Sequence, residues 1–192
     1  GPEDALAMVG SGAPGAGGEL RLWHGRSLNY EPETLAAGLQ PIMNVALAPG
    51  GGMAAVVYDG EPQARLVDLA GERAPVPIGS EQDGYATAAA FGGDDLLLVS
   101  TDKGKLSAWN IAESGTGGAT ESTVVPRWTQ VAHTARINDI AVLRTEGRAA
   151  TAGDDGSVRI WNLQDGTLLA ALTPVTRTLL TDVAFRPDGG AD

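Results

Sequence analysis

The chain contains no cysteine, which excludes disulfides, thiolate metal centres and a cysteine nucleophile together. Aromatic residues are scarce as well, with two Phe, three Tyr and four Trp, whereas Gly (27) and Pro (11) are plentiful. Turn formers and small residues in this abundance predict an all-β fold rather than a helical bundle. Basic residues are few: thirteen Lys and Arg against twenty-four Asp and Glu give a net charge of −11. Such a surface repels phosphate backbones, so neither nucleic acid nor an anionic membrane is an expected partner. No apolar run is long enough to span a bilayer and no signal peptide is visible, so membrane insertion is not expected. The lack of cysteine fits a reducing compartment, and the expected location is intracellular and cytoplasmic.

What the sequence does have is a core-forming composition, 43% hydrophobic and 19% charged, and a repeat. The clearest unit runs from His133 to Leu163 and reads as three short strands divided by the turns 144–147 and 153–156. A fourth strand follows at 167–173. Its last stretch, "SVRIWNL" (157–163), has relatives at 105–111, 64–69 and 19–25. The spacings from Trp23 to Val67, Trp109 and Trp161 are 44, 42 and 52 residues. The long interval holds a Gly/Thr/Ser-rich insertion at 113–122. The preceding strands align too: 42–49, 85–91, 137–143 and 180–187, each rich in small residues and leading into a Gly- or Asp-rich turn. Co-registered copies at about 40–45 residues, four strands each, are the signature of propeller blades.

On these residues the chain resembles the WD-repeat β-propeller family over nearly its whole length. The resemblance implies a propeller of WD-repeat type with four-stranded antiparallel blades. It also implies a hydrogen-bonded set in the fourth blade: His133, Asp139, Thr151 and Trp161, with Asp139 fixing the imidazole, the imidazole meeting Thr151, and Thr151 meeting the indole. The third blade keeps Trp109 but has Ala88 and Val99 at the Asp and Thr positions, and the second has Asn44, Val57 and Val67. Those blades must rely on apolar packing.

Residues 1–192 are read as one propeller region. A partial first blade covers 5–40, beginning with its second strand, and further blades cover about 41–80, 84–131 and 133–173. An inner strand of another blade lies at 179–186. About four blades are present where family members commonly have seven, which predicts a partial propeller. The rest could come from another chain or further residues, from a second copy joined head to tail, or from the final strand returning to the first blade.

No catalytic constellation emerges. "GSGAPG" (10–15) fits a dinucleotide fingerprint, but a strand pattern follows where a helix is required, so a loop is expected there. "DKGK" (102–105) lacks the rest of a P-loop and reads as a hairpin turn. His24 and His133 are the two imidazoles, too few for a zinc site without cysteine. The acid pairs Asp94-Asp95 and Asp154-Asp155 read as solvated turn residues. No metal or cofactor is expected, and no enzymatic activity.

The functional expectation is therefore a non-catalytic protein-protein interaction scaffold that presents propeller loops to a protein or peptide. The loops entering the inner strands supply the candidates Gln40, Tyr85, Arg136, Asn138 and Arg177, of which Tyr and Arg are typical interface anchors. One alternative is a structural half-propeller completing an assembly or homodimer. The other, an enzyme or ligand-binding propeller with an axial-channel site, calls for polar inner strands, and these are mostly small and apolar.

Overall fold

A computed structural model describes residues 5–13, 17–24, 33–38, 40–111, 125–173 and 178–186. Within them fifteen strands form four antiparallel sheets. Sheet 1 holds β1 (Ala5–Ala13), β2 (Gly17–His24) and β3 (Glu33–Gly38), in that order. Sheet 2 holds β4 (Ile42–Leu47), β5 (Met53–Tyr58), β6 (Ala64–Asp68) and β7 (Val76–Ile78). Sheet 3 holds β8 (Ala86–Phe91), β9 (Leu96–Thr101), β10 (Lys105–Asn110) and β11 (Pro126–Val131). Sheet 4 holds β12 (Ile137–Leu143), β13 (Arg148–Gly153), β14 (Val158–Asn162) and β15 (Leu168–Leu172). Each sheet is a meander of neighbouring strands, the arrangement of propeller blades. The fold is thus nearly all-β and that of a partial WD-type β-propeller.

The strands form because short apolar runs alternate with turn chemistry. Arg144–Glu146 makes a single 3-10 turn closed by Gly147 in the left-handed region, where an L side chain would be strained. The insertion 113–122 lies outside the described residues. Residues 10–13, expected as loop, belong to β1, because hairpin pairing with β2 continues to Ala13 opposite Gly17.

The first strand of each complete sheet pairs with the second through a bulge at the same place, before Asn44, Ala88 and Asp139. A bulge shifts which residues face which side, so this shared irregularity keeps the three sheets in common register. Alternate residues then pack on the sheet before and the sheet after. Val67 faces back toward sheet 1 with Leu20, Val56 and Tyr58. Trp109 packs back on sheet 2, among Ala55, Val57, Leu66 and Ile78. Trp161 packs back on sheet 3, among Leu98, Leu106 and Ala108. Among the innermost strands β8 is alanine-rich, whereas β4 and β12 carry one alanine each.

Residues 180–185 differ from expectation. The sequence predicts an inner strand at 179–186, yet these residues take no ladder position in any sheet of the described residues. A strand is defined by pairing, and among the described residues no second strand lies beside this segment. Hydrogen bonds hold the segment against sheet 4 instead: the Asn138 side-chain amide donates to the Leu180 carbonyl, and the Val183 N–H donates to Asp139.

Candidate functional site

Two sets of residues stand out, a buried network in sheet 4 and a rim of loop residues. The network starts at His133, which is buried with its ring against the end of β13. A Cβ at Gly153 would lie 2.7 Å from His133 Nδ1, so glycine is what lets the imidazole approach the strand. His133 Nε2 lies 2.7 Å from Thr151 Oγ1, and the Trp161 indole N–H donates to the same oxygen at 3.0 Å. On the other ring nitrogen, Nδ1 lies 2.9 Å from Asp155 Oδ1.

These contacts order the protons. Asp155 is an acceptor, so neutral His133 carries its hydrogen on Nδ1. Nε2 then accepts from the Thr151 hydroxyl, whose oxygen accepts from Trp161. Asp155 also receives the Ser157 hydroxyl at 2.6 Å, the Ser157 N–H at 3.0 Å and the Thr134 N–H at 3.1 Å. Burial pushes the His133 pKa below its ordinary 6.5, and its contacts with Asp155 only partly oppose this. For Asp155 burial acts upward, but the hydrogen bonds from Ser157, His133 and Thr134 outweigh it and hold the carboxyl well below the usual carboxylate range.

Asp155, not Asp139, is therefore the carboxylate that fixes His133. The reason is sheet parity: after the bulge Asp139 stands opposite Ala152, on the face away from sheet 3, whereas Thr151 and Trp161 share the face toward it. Asp139 Oδ2 instead accepts from the Val183 N–H at 2.9 Å. Burial, and then a hydrogen bond with Asp182, raise the Asp139 pKa against the N–H groups of Val183 and Ile140. The sequence predicts Asp155 as a solvated turn residue; its position in the GDDG turn, two residues past β13 and two before Ser157, places it beside the imidazole instead. Sheet 3 has no such network, since Val99 occupies the place of Thr151 and the Trp109 indole nitrogen is buried without a hydrogen-bond partner.

The rim is built by a second repeated contact. The backbone N–H groups of Asp59, Asp102 and Asp154, in the turns after the second strands, donate to the carbonyls of Pro41, Tyr85 and Arg136, just before the first strands. This brings the loops entering β4, β8 and β12 to one end of the sheets. Gln40 and Tyr85 are exposed there, Tyr85 at 53%. Asp102 also accepts the Tyr85 N–H at 2.8 Å, so that residue's backbone is clamped while its side chain meets solvent. Arg136 is half-buried, its Nε donating to Asn138 Oδ1 at 3.2 Å. Asn138 is committed further, donating to Asp154 Oδ1 and to the Leu180 carbonyl. Arg177 and the side chains of Trp23 and His24 lie outside the described residues. Sequence reasoning missed Trp128, whose indole N–H donates to the Leu163 carbonyl at 3.0 Å and pins the outer strand of sheet 3 to sheet 4.

The region holding the network, residues 125–162, matches the family model of the WD domain, G-beta repeat. The chain carries a WD40 repeat. No curated protein matches the chain. The matched WD40 unit contains His133, Thr151, Asp155 and Trp161 and runs from the approach to β11 to the end of β14. WD40 domains typically bind proteins or peptides and are generally non-catalytic, which supports an interaction scaffold in general terms. Among the described residues no three His, Asp or Glu side chains converge as a metal site, and no helix is long and apolar enough to cross a membrane.

Proposed function

We propose that this chain is a non-catalytic interaction scaffold that captures a protein or peptide on the rim where the loops enter the inner strands. The observation that carries this reading is Tyr85: an exposed aromatic on a backbone held at both its N–H and its carbonyl by Asp102. A rigid aromatic loses little conformational freedom on binding, which is why Tyr anchors interfaces. Arg136, at the equivalent position before β12, supplies a cation on an otherwise acidic protein, while Gln40 stands beside the third equivalent position. Arg177 belongs to the proposed surface by its place before residue 180. Asn138 serves better as a tie to residue 180 than as a contact.

The reading is tested by capture on the immobilised chain, followed by mass spectrometry. Proteins retained by the unmodified chain, and by a control Arg144→Ala/Glu146→Ala variant in a different turn, are expected to drop at least tenfold with Tyr85→Ala/Arg136→Ala. Equal retention by a folded double variant rules this rim out as the docking face.

A further inference from the structure

Counted by residues, the rim is acidic, but most of its carboxylates are already committed inside the chain. Asp102 accepts the Tyr85 N–H, and Asp154 accepts from the Asn138 carboxamide. Asp155 accepts from His133, Ser157 and Thr134. Asp83 is paired with Lys105, and Glu61 with Arg65. A carboxylate engaged in this way has fewer lone pairs to offer a partner, and part of its charge is compensated. The exposed acids Asp59 and Glu81 both follow strands of sheet 2, β5 and β7.

Between sheets 3 and 4 the cations are in the opposite condition. Lys103 is exposed in the β9–β10 turn and makes no ion pair among the described residues. Arg136 gives its Nε to Asn138 Oδ1 at 3.2 Å, and among the described residues its two Nη groups have no partner. Asn138 is itself fixed, donating to Asp154 Oδ1 and to the Leu180 carbonyl. The guanidinium is thus held at Nε by an anchored carboxamide, which limits its rotation and leaves the Nη pair available.

Packing sets these two cations and Tyr85 on one continuous stretch. The Lys103 stem lies over Gly84, where a Cβ would come 2.9 Å from Cγ and 3.1 Å from Cδ. Gly104 (φ +75) seats the same turn against the loop entering β12, where a Cβ would come 2.7 Å from the Ala135 carbonyl oxygen. Gly84 precedes Tyr85 and Ala135 precedes Arg136. The order along the rim is therefore Tyr85, Lys103, Arg136. Backbone N–H groups of Asp102 and Asp154, bonded to the carbonyls of Tyr85 and Arg136, hold its two ends.

We propose that this stretch recognises an acidic segment of a protein partner, with a Glu or Asp carboxylate on the Arg136 Nη pair, Lys103 beside it, and a neighbouring side chain on Tyr85. The inference rests on the rim being the docking face and names what that face selects. A planar guanidinium fork matches a planar carboxylate in two parallel hydrogen bonds, and such charge-assisted pairs are the stronger class. Phosphate fits the same fork, but it brings close to two charges. Asp102, Asp154 and Asp155 stand nearby, and their repulsion opposes a second charge on the ligand more than the first. A cationic segment, which the net charge of −11 alone would favour, meets like charge at Lys103 and Arg136.

The test presents the immobilised full chain with pools of short synthetic peptides. Their flanks are random, and Glu, phosphoserine, Lys or Ser is fixed at the centre. The Glu pool is expected to be retained at least about tenfold better than the Lys and Ser pools, and better than the phosphoserine pool. Arg136→Ala and Lys103→Glu are each expected to abolish that preference; the second lies in an exposed turn and serves even where the first does not fold. Equal retention of the Lys pool overturns the proposal, as does a Glu preference that survives both substitutions. A phosphoserine pool held more tightly than the Glu pool overturns the choice of carboxylate. Retention of no pool at tens of micromolar overturns it too. In each of these cases, partners captured by the unmodified chain and lost with Tyr85→Ala/Arg136→Ala leave the rim reading standing and reject its acid preference alone.

Discussion

His133 makes both of its ring bonds in the interior, and the proton order through Asp155, Thr151 and Trp161 leaves no donor or acceptor of the set unpaired. Removing one member strands the others, which costs about 1–3 kcal/mol for each buried polar group left alone. Asp155→Ala is therefore expected to destabilise the chain by about 2–3 kcal/mol in urea unfolding. Asp139→Ala is expected to leave the His133 resonances in place and to accelerate amide exchange at Val183 instead. The reverse change belongs in sheet 3: Val99→Thr offers the buried Trp109 indole nitrogen an acceptor, with an expected gain of about 1 kcal/mol. The same residues set the response to pH. Burial holds the folded His133 pKa below its ordinary 6.5, so as pH falls past 6.5 the unfolded chain takes up its proton before the folded chain does, and stability falls as pH falls. Asp155 adds a further loss once pH drops below 3.8 toward its depressed value. Asp139 has the opposite sign: its raised pKa stabilises the fold at low pH, a contribution lost as pH rises past that value. Urea midpoints measured from pH 7 to pH 4 should thus decline, and decline more steeply in Asp139→Asn; an identical slope in the two proteins contradicts the assignment.

At the scale of the strand, most of the architecture was legible. Turn residues separate short apolar runs at a steady interval, and β4, β8, β12 and their partners lie where those runs are. Parity was not legible. A single extra residue at the bulge moves Asp139 to the far side of its sheet, and two Asp residues at plausible distances along the chain cannot be told apart without it. Nor does a run such as "LTDVAF" announce whether a partner strand lies beside it, since pairing is a property of the neighbour. Asn44 shows what a strand position can do beyond packing: its amide oxygen holds the next sheet's Ala89 N–H. Asn44→Ala leaves that N–H without its acceptor and is expected to cost about 1–3 kcal/mol in chemical denaturation, with exchange protection lost at Ala89 before the centre of sheet 4.

For the molecule as a whole, composition spoke to solvation and charge, the repeat to architecture, and neither to the occupant of the rim. Tyr85 was visible as a candidate because it is an interface-anchoring residue type in a loop entering an inner strand; its clamp by Asp102 depends on a turn seventeen residues later, which only folding brings near. Among the described residues, the apolar clusters join each sheet to the next. Units that touch mainly their neighbours behave as a chain of coupled switches, in which each link melts according to its own strength and that of its two joints. Sheet 4, with its ordered network, is the strongest link, and sheet 2, with Val67 where its sisters have tryptophan, is the weakest. Progressive heating should therefore open this arc in stages from an internal joint, and hydrogen exchange followed sheet by sheet would record a graded sequence of losses rather than one collective event.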